Sequence, residues 1–126
     1  MRDTSGFSHI ALGSARELAF ISGQVAYDSD GNIVGIGDLA RQTRQVLENL
    51  SHALDAVDAT FDDILKFTFF VRNLSEEAVA TIRKVRTEYL SSSNPPASTM
   101  VGVAALAKRD LLLEVEAYVA VPSKLD

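Results

Sequence analysis

The sequence predicts an α+β fold, with one mixed sheet and two helices packed on one of its faces. Three observations lead there. Two stretches, 38–57 and 75–90, carry apolar residues at helical spacing. Several shorter apolar stretches alternate as strands do. Their order is strand, strand, a short third strand near Ile33, helix, strand, helix, strand, strand, and strands mixed with two helices suit a single two-layer sheet.

In the first helix, Leu39, Val46, Leu47, Leu50, Leu54 and Val57 fall on one side, and Asp38 is placed to cap its N-terminus. In the second, Val79, Ile82, Val85 and Tyr89 form a similar stripe. Ser75 can cap it, Glu76 and Glu77 suit the positive end of its dipole, and Asn94-Pro95-Pro96 stops the helix. Among the strands, 17–25 reads ELAFISGQV and precedes the turn signal Ser29-Asp30-Gly31-Asn32. In 64–72, Phe67, Phe69 and Val71 share one face, with Lys66, Thr68, Phe70 and Arg72 on the other. The stretches 97–104 and 111–121 complete the set, and 7–12 is a weaker first strand. In 111–121, one face is apolar, while Leu112, Glu114, Glu116, Tyr118 and Ala120 make the other semi-polar. That pattern suits burial against another subunit around a wet cleft.

A chain of 126 residues is one domain and can bury a core unaided. It has no cysteine, which removes disulfides, thiolate metal sites and cysteine nucleophiles from consideration. The net charge of −5 argues against a non-specific nucleic-acid partner. Residues 1–6 are polar with no long apolar run behind them, so no signal peptide, no membrane partner and a cytoplasmic location are expected. His9 and His52 lie far apart in sequence, so no metal is expected, and no cofactor motif is present: Gly35 and Gly37 lack the continuation a dinucleotide loop needs.

Five segments in order resemble the RidA/YjgF family, whose members also carry the names L-PSP endoribonuclease and translation inhibitor. They are Phe20-Ile21-Ser22-Gly23-Gln24-Val25, then Gln42 through Leu50, then Asp63-Ile64-Leu65-Lys66-Phe67-Thr68-Phe69-Phe70-Val71-Arg72-Asn73-Leu74. Asn94-Pro95-Pro96-Ala97 with Val101 through Leu106 comes next, and Leu113-Glu114-Val115-Glu116-Ala117 closes the set. The resemblance implies a chorismate-mutase-like fold and a homotrimer with a central barrel. It implies small-molecule clefts at the subunit interfaces and hydrolysis of enamines or imines to carbonyl compounds and ammonia.

One departure bears on the chemistry. Deaminating members carry an arginine after the proline-alanine pair, and here that position is Ser98. A guanidinium grips a carboxylate through two charge-assisted hydrogen bonds, whereas a hydroxyl offers one neutral donor. The loss is worth about 2–4 kcal/mol of binding unless another cation, such as Arg72, Lys108 or Arg109, compensates. The resemblance makes Glu114 the catalytic residue that holds the water. Ser22, Gly23, Ser98, Met100 and His9 become ligand-binding positions. Glu116 projects from the same strand face as Glu114, roughly 7 Å away. Ser98, Met100 and Gly102 share a face, and Gly102 is expected where another group approaches closely. His9 occupies the family's cleft tyrosine position if the first strand is aligned without a gap. Matching Gly6-Phe7-Ser8-His9 to the family's motif instead requires about two inserted residues. Three functions stay open: a deaminase-type hydrolase with an altered substrate, a non-catalytic binding or regulatory trimer, and an RNA-cleaving protein.

Overall fold

The computed structural model describes residues 6–91 and 93–122. Four strands form one sheet: β1 (Glu17–Gln24), β2 (Ile64–Arg72), β3 (Ala97–Val103) and β4 (Leu113–Val121). Their spatial order is β1-β4-β2-β3. β4 runs antiparallel to both its neighbours, and β2 runs parallel to β3. The parallel pair is joined through α2 (Glu76–Arg86), as a parallel connection requires a crossover. The helix α1 (Leu39–Ala56) joins β1 to a single 3-10 turn, Phe61–Asp63, that opens β2.

Both helices start where their caps allow. Asp38 accepts a hydrogen bond from the Arg41 amide at 3.1 Å, and Ser75 accepts one from the Ala78 amide. Val46, Leu47, Leu50 and Leu54 of α1 and Ile82 and Val85 of α2 pack on the sheet face made by Phe67, Phe69, Val71, Leu113, Val115, Ala117 and Val119. All are essentially sealed from water, and this burial supplies most of the stability. Gln42 is a buried polar exception with a full set of partners. Its side chain donates to the Gly35 and Asp110 carbonyls and accepts from the Leu112 amide. It thereby ties the loop before α1 to the entry of β4.

Two expected strands are reduced to isolated bridges. Residues 7–12 contribute only Ser8 beside Ala97, and Ile33 pairs only with Tyr27. Gly31, Gly35 and Gly37 interrupt the segment around Ile33, which cannot sustain a ladder. The second helix ends at Arg86, four residues before the expected end. The stripe is also rotated: Ala78, Ile82, Val85 and Arg86 are buried, while Tyr89 lies beyond the helix and is half-buried.

The sheet's second face carries no helix. Leu18 and Phe20 of β1, Val101 of β3 and Tyr118 of β4 lie exposed there, Phe20 at 70% and Leu18 at 60%. Phe20 and Tyr118 pack edge to face at 5.2 Å. No described helix is long and apolar enough to cross a membrane.

Candidate functional site

The uncovered face holds the first group of candidate residues. Along β1 and β4 the pairing runs regularly from Glu17 with Val121 to Ile21 with Ala117, then slips so that Gln24 meets Val115. Three steps on β1 against two on β4 make a β-bulge at Ser22 and Gly23. Bulges of this kind re-aim side chains and recur beside functional sites. Here the bulge brings the Gly23 backbone onto the Glu114 carboxylate. A β-carbon added at Gly23 would fall on that carboxylate, only 2.6 Å from its Cδ and 2.7 Å from its Cγ. Only glycine admits this approach without displacing Glu114. Gly23 and Glu114 are therefore brought together, with Ser22 in the same bulge. Glu116 lies on the same face and accepts a 3.4 Å hydrogen bond from the Tyr118 hydroxyl.

Gly23 also borders an open hollow of about 630 Å³ between the end of β1 and α1, which Gln45, Asn49 and His52 help to line. Asn49 is committed there, donating to the Val25 and Tyr27 carbonyls at 2.9 Å each. The hollow is broad and open to solvent, with no buried charged group, and it does not include Glu114.

The second group lies on the opposite face. Ser98 pairs with Phe67 and Met100 with Phe69, so both point toward the helices, whereas Glu114 pairs with Phe70 on the far side. Within one protomer, Ser98 and Met100 do not meet Glu114. The segment holding His9 joins the Ser98 group. Ser8 bridges only to Ala97, but its amide donates to the Pro96 carbonyl and its hydroxyl to the Pro95 carbonyl at 2.6 Å. Phe7 and His9 then stack edge to face at 6.0 Å, with His9 exposed. The close approach expected at Gly102 exists, and it is to Leu74, whose Cβ would be 3.2 Å from an added β-carbon.

None of the three cations expected to replace the missing arginine stands near Ser98. Arg72 pairs with Val103, five residues further along β3, which is roughly 16 Å of strand. Its Nη1 donates to the Arg109 carbonyl, and Lys108 and Arg109 are exposed in the same distant loop. The cation at Ser98 is Arg86, from the last turn of α2. It is 2% exposed, and its Nη1 donates to the Ser98 hydroxyl at 3.4 Å. Its guanidinium carbon sits 5.9 Å from the Phe67 ring and 5.5 Å from the Phe69 ring. Burial, and then the charge of Arg83, lower its pKa to about 10, so the group remains a cation at neutral pH. The signal for Arg86 was present in the sequence: it lies one position from Val85 and four from Ile82, on the apolar side of α2. An arginine in the last turn of a helix ordinarily reads as a solvated charge favoured by the dipole, which hid it.

Among the described residues no group of three histidine or acidic side chains could hold a metal ion. A profile of the endoribonuclease L-PSP family matches residues 2–121. The chain belongs to the RidA/YjgF family, under which that profile falls. A RutC family protein of Pyrococcus horikoshii is 36% identical over 103 residues, 82% of this chain and 79% of that protein. The 3-aminoacrylate deaminase RutC of Acinetobacter baylyi is 30% identical over 107 residues, covering 85% and 82%. The crystal structure of YyfB, a Rid-family protein of unknown function from Yersinia pestis, superposes with a TM-score of 0.85 at 37% identity, over 91% of this chain and 86% of that one. The mixed sheet with two helices on one face is thus the RidA/YjgF fold.

Proposed function

We propose that this RidA/YjgF protein is a homotrimeric enamine or imine hydrolase of altered substrate range, with its clefts between subunits. The observation that carries the reading is the Glu114 carboxylate held against the Gly23 bulge on the face the helices leave open. A carboxylate fixed there can take a proton from water and return it to nitrogen. In the reaction proposed, an enamine takes a proton from solvent at carbon to give the iminium ion. Water adds to the iminium carbon as its proton passes to Glu114, leaving a neutral carbinolamine. Glu114 returns that proton to nitrogen, the carbon–nitrogen bond breaks to release ammonia, and the hydroxyl proton is lost to solvent, restoring the proton first taken and leaving a carbonyl.

The exposed Leu18, Phe20, Val101 and Tyr118 support assembly, because an apolar face of this kind ordinarily meets a partner. Assembly matters for the chemistry, since Ser98 and Glu114 of one protomer face apart. A cleft using both needs two copies. The deaminase relative, 30% identical over most of its length, supports the reaction class.

The test is ammonia release from 2-aminoacrylate and 3-aminoacrylate generated in place, by wild type and by Glu114→Gln. Turnover lost in the variant supports the assignment, and turnover unchanged in it removes Glu114 from the role. Serine at position 98 favours a second reading, a trimer that binds small molecules without converting them. Under that reading neither protein releases ammonia, while a ligand still raises the melting temperature of the folded assembly.

A further inference from the structure

We propose that Arg86, acting from α2, is a carboxylate anchor that stands in for the guanidinium absent at position 98, and that its pocket takes small monocarboxylates with an apolar side chain. The pocket encloses about 210 Å³ and is lined by Phe7, Val79, Arg83, Arg86, Ser98 and Met100. Two features mark it as built for an anion. The first is a cation without a counter-charge. Arg86 is buried, yet the described residues provide it no ion pair, and its Nε lacks any hydrogen-bond partner among them. An orphaned buried donor on a charged group is costly and ordinarily finds a partner. Among the described residues its side chain makes one hydrogen bond, to Ser98, and it is long at 3.4 Å. The rings of Phe67 and Phe69 offset only part of this cost.

The second feature is the wall. Arg83 adds an exposed guanidinium at the same pocket, so two cations and one hydroxyl converge on it, with no carboxylate in the lining among the described residues. Phe7, Val79 and Met100 supply apolar contact for the remainder of a ligand. The Gly6 backbone roofs the guanidinium. A β-carbon on Gly6 would stand 3.6 Å from Nη2 and 3.7 Å from Nε, in ordinary contact. A flat carboxylate matches a guanidinium edge through two parallel hydrogen bonds, and Ser98 can donate a third. Serine at 98 then has a reason, since a second arginine there would meet Arg86 head on.

The inference deepens the hydrolase reading, because Ser98 is the anchor position in that cleft. Carboxylate binding is measured without turnover, however, so the two can fail separately. The experiment is calorimetric titration of the full chain with pyruvate, benzoate and sulfate at constant ionic strength, with folding checked by circular dichroism. Wild type is expected to bind benzoate and pyruvate saturably and sulfate less well. Arg86→Met, which keeps the stem and removes the charge, is expected to bind roughly 10–100-fold more weakly. Ser98→Asp places a carboxylate beside Nη1. It is expected to raise the melting temperature and abolish carboxylate binding, and it decides the matter if Arg86→Met does not fold. Absence of saturable binding to wild type, or wild-type affinity in a folded Arg86→Met or in Ser98→Asp, overturns the proposal. Equal affinity for sulfate overturns the carboxylate assignment.

Discussion

Replacing Gly23 by alanine tests whether the bulge exists to seat Glu114. The added methyl would lie 2.6 Å from Cδ and 2.7 Å from Cγ of Glu114, well inside the 3.4 Å at which ordinary contacts begin. Those atoms lie toward the carboxylate end of the side chain, so Glu114 must leave its rotamer or, at greater cost, the β1 bulge must move. Overpacking of this kind costs about 1–3 kcal/mol. At this chain length that lowers the melting temperature by about 3–10 °C, compared at fixed protein concentration. Under the proposed hydrolase reading, ammonia release should also fall, by about a hundredfold, because a displacement of about 1 Å at a catalytic group has that effect. The decisive measurement is a double-mutant cycle in urea. In a Glu114→Ala background the methyl meets nothing beyond a β-carbon, and the cost of Gly23→Ala should drop below about 0.5 kcal/mol. An equal cost in both backgrounds would refute the reasoning, for the strain would then lie in the backbone and not in the carboxylate.

Three further outcomes are expected. Gln42→Leu keeps the volume but strands the Asp110 carbonyl and the Leu112 amide, while the Gly35 carbonyl keeps its bond from the Asp38 amide, so urea unfolding should show a loss of about 2–4 kcal/mol. Phe20→Glu sets a charge on the uncovered apolar face, and if wild type sediments as the proposed trimer the variant should sediment as a monomer; a trimeric variant would exclude that face from the interface. Burial, followed by the hydrogen bond to Glu48, raises the Tyr89 phenol to about 12 from an ordinary value of 10. Because the folded state holds that proton more tightly, its contribution to stability is present below pH 10 and is lost as pH rises toward 12. Tyr89→Phe should flatten that part of the stability profile, and an unchanged profile would assign the loss to other groups.

Apolar periodicity was legible in the sequence wherever local pattern and tertiary burial agree. The alternation of Phe67, Phe69 and Val71 and the α1 stripe through Val46, Leu50 and Leu54 each specify a face that only a sheet and helix in contact can bury. The caps at Asp38 and Ser75 were equally plain, since they depend on residues three positions away. Ser22, Gly23 and Glu114 are singled out by resemblance alone; the approach of Gly23 to Glu114 depends on a bulge, and the slip in register leaves no trace in composition.

Position 98 divides the two kinds of information most sharply. The order of residues alone shows that the arginine is missing there and that the chain keeps the family's frame. Which cation stands beside that serine depends on how the chain packs. Lys108 and Arg109 follow Ser98 by only ten and eleven residues but sit with Arg72 at the far end of β3, while Arg86 lies twelve residues before Ser98 and reaches it across the helix–sheet interface. The physical reason is that a strand moves away from its start at roughly 3.3 Å per residue, whereas a crossover helix returns the chain to the strand it precedes. Sequence order records the first distance and conceals the second.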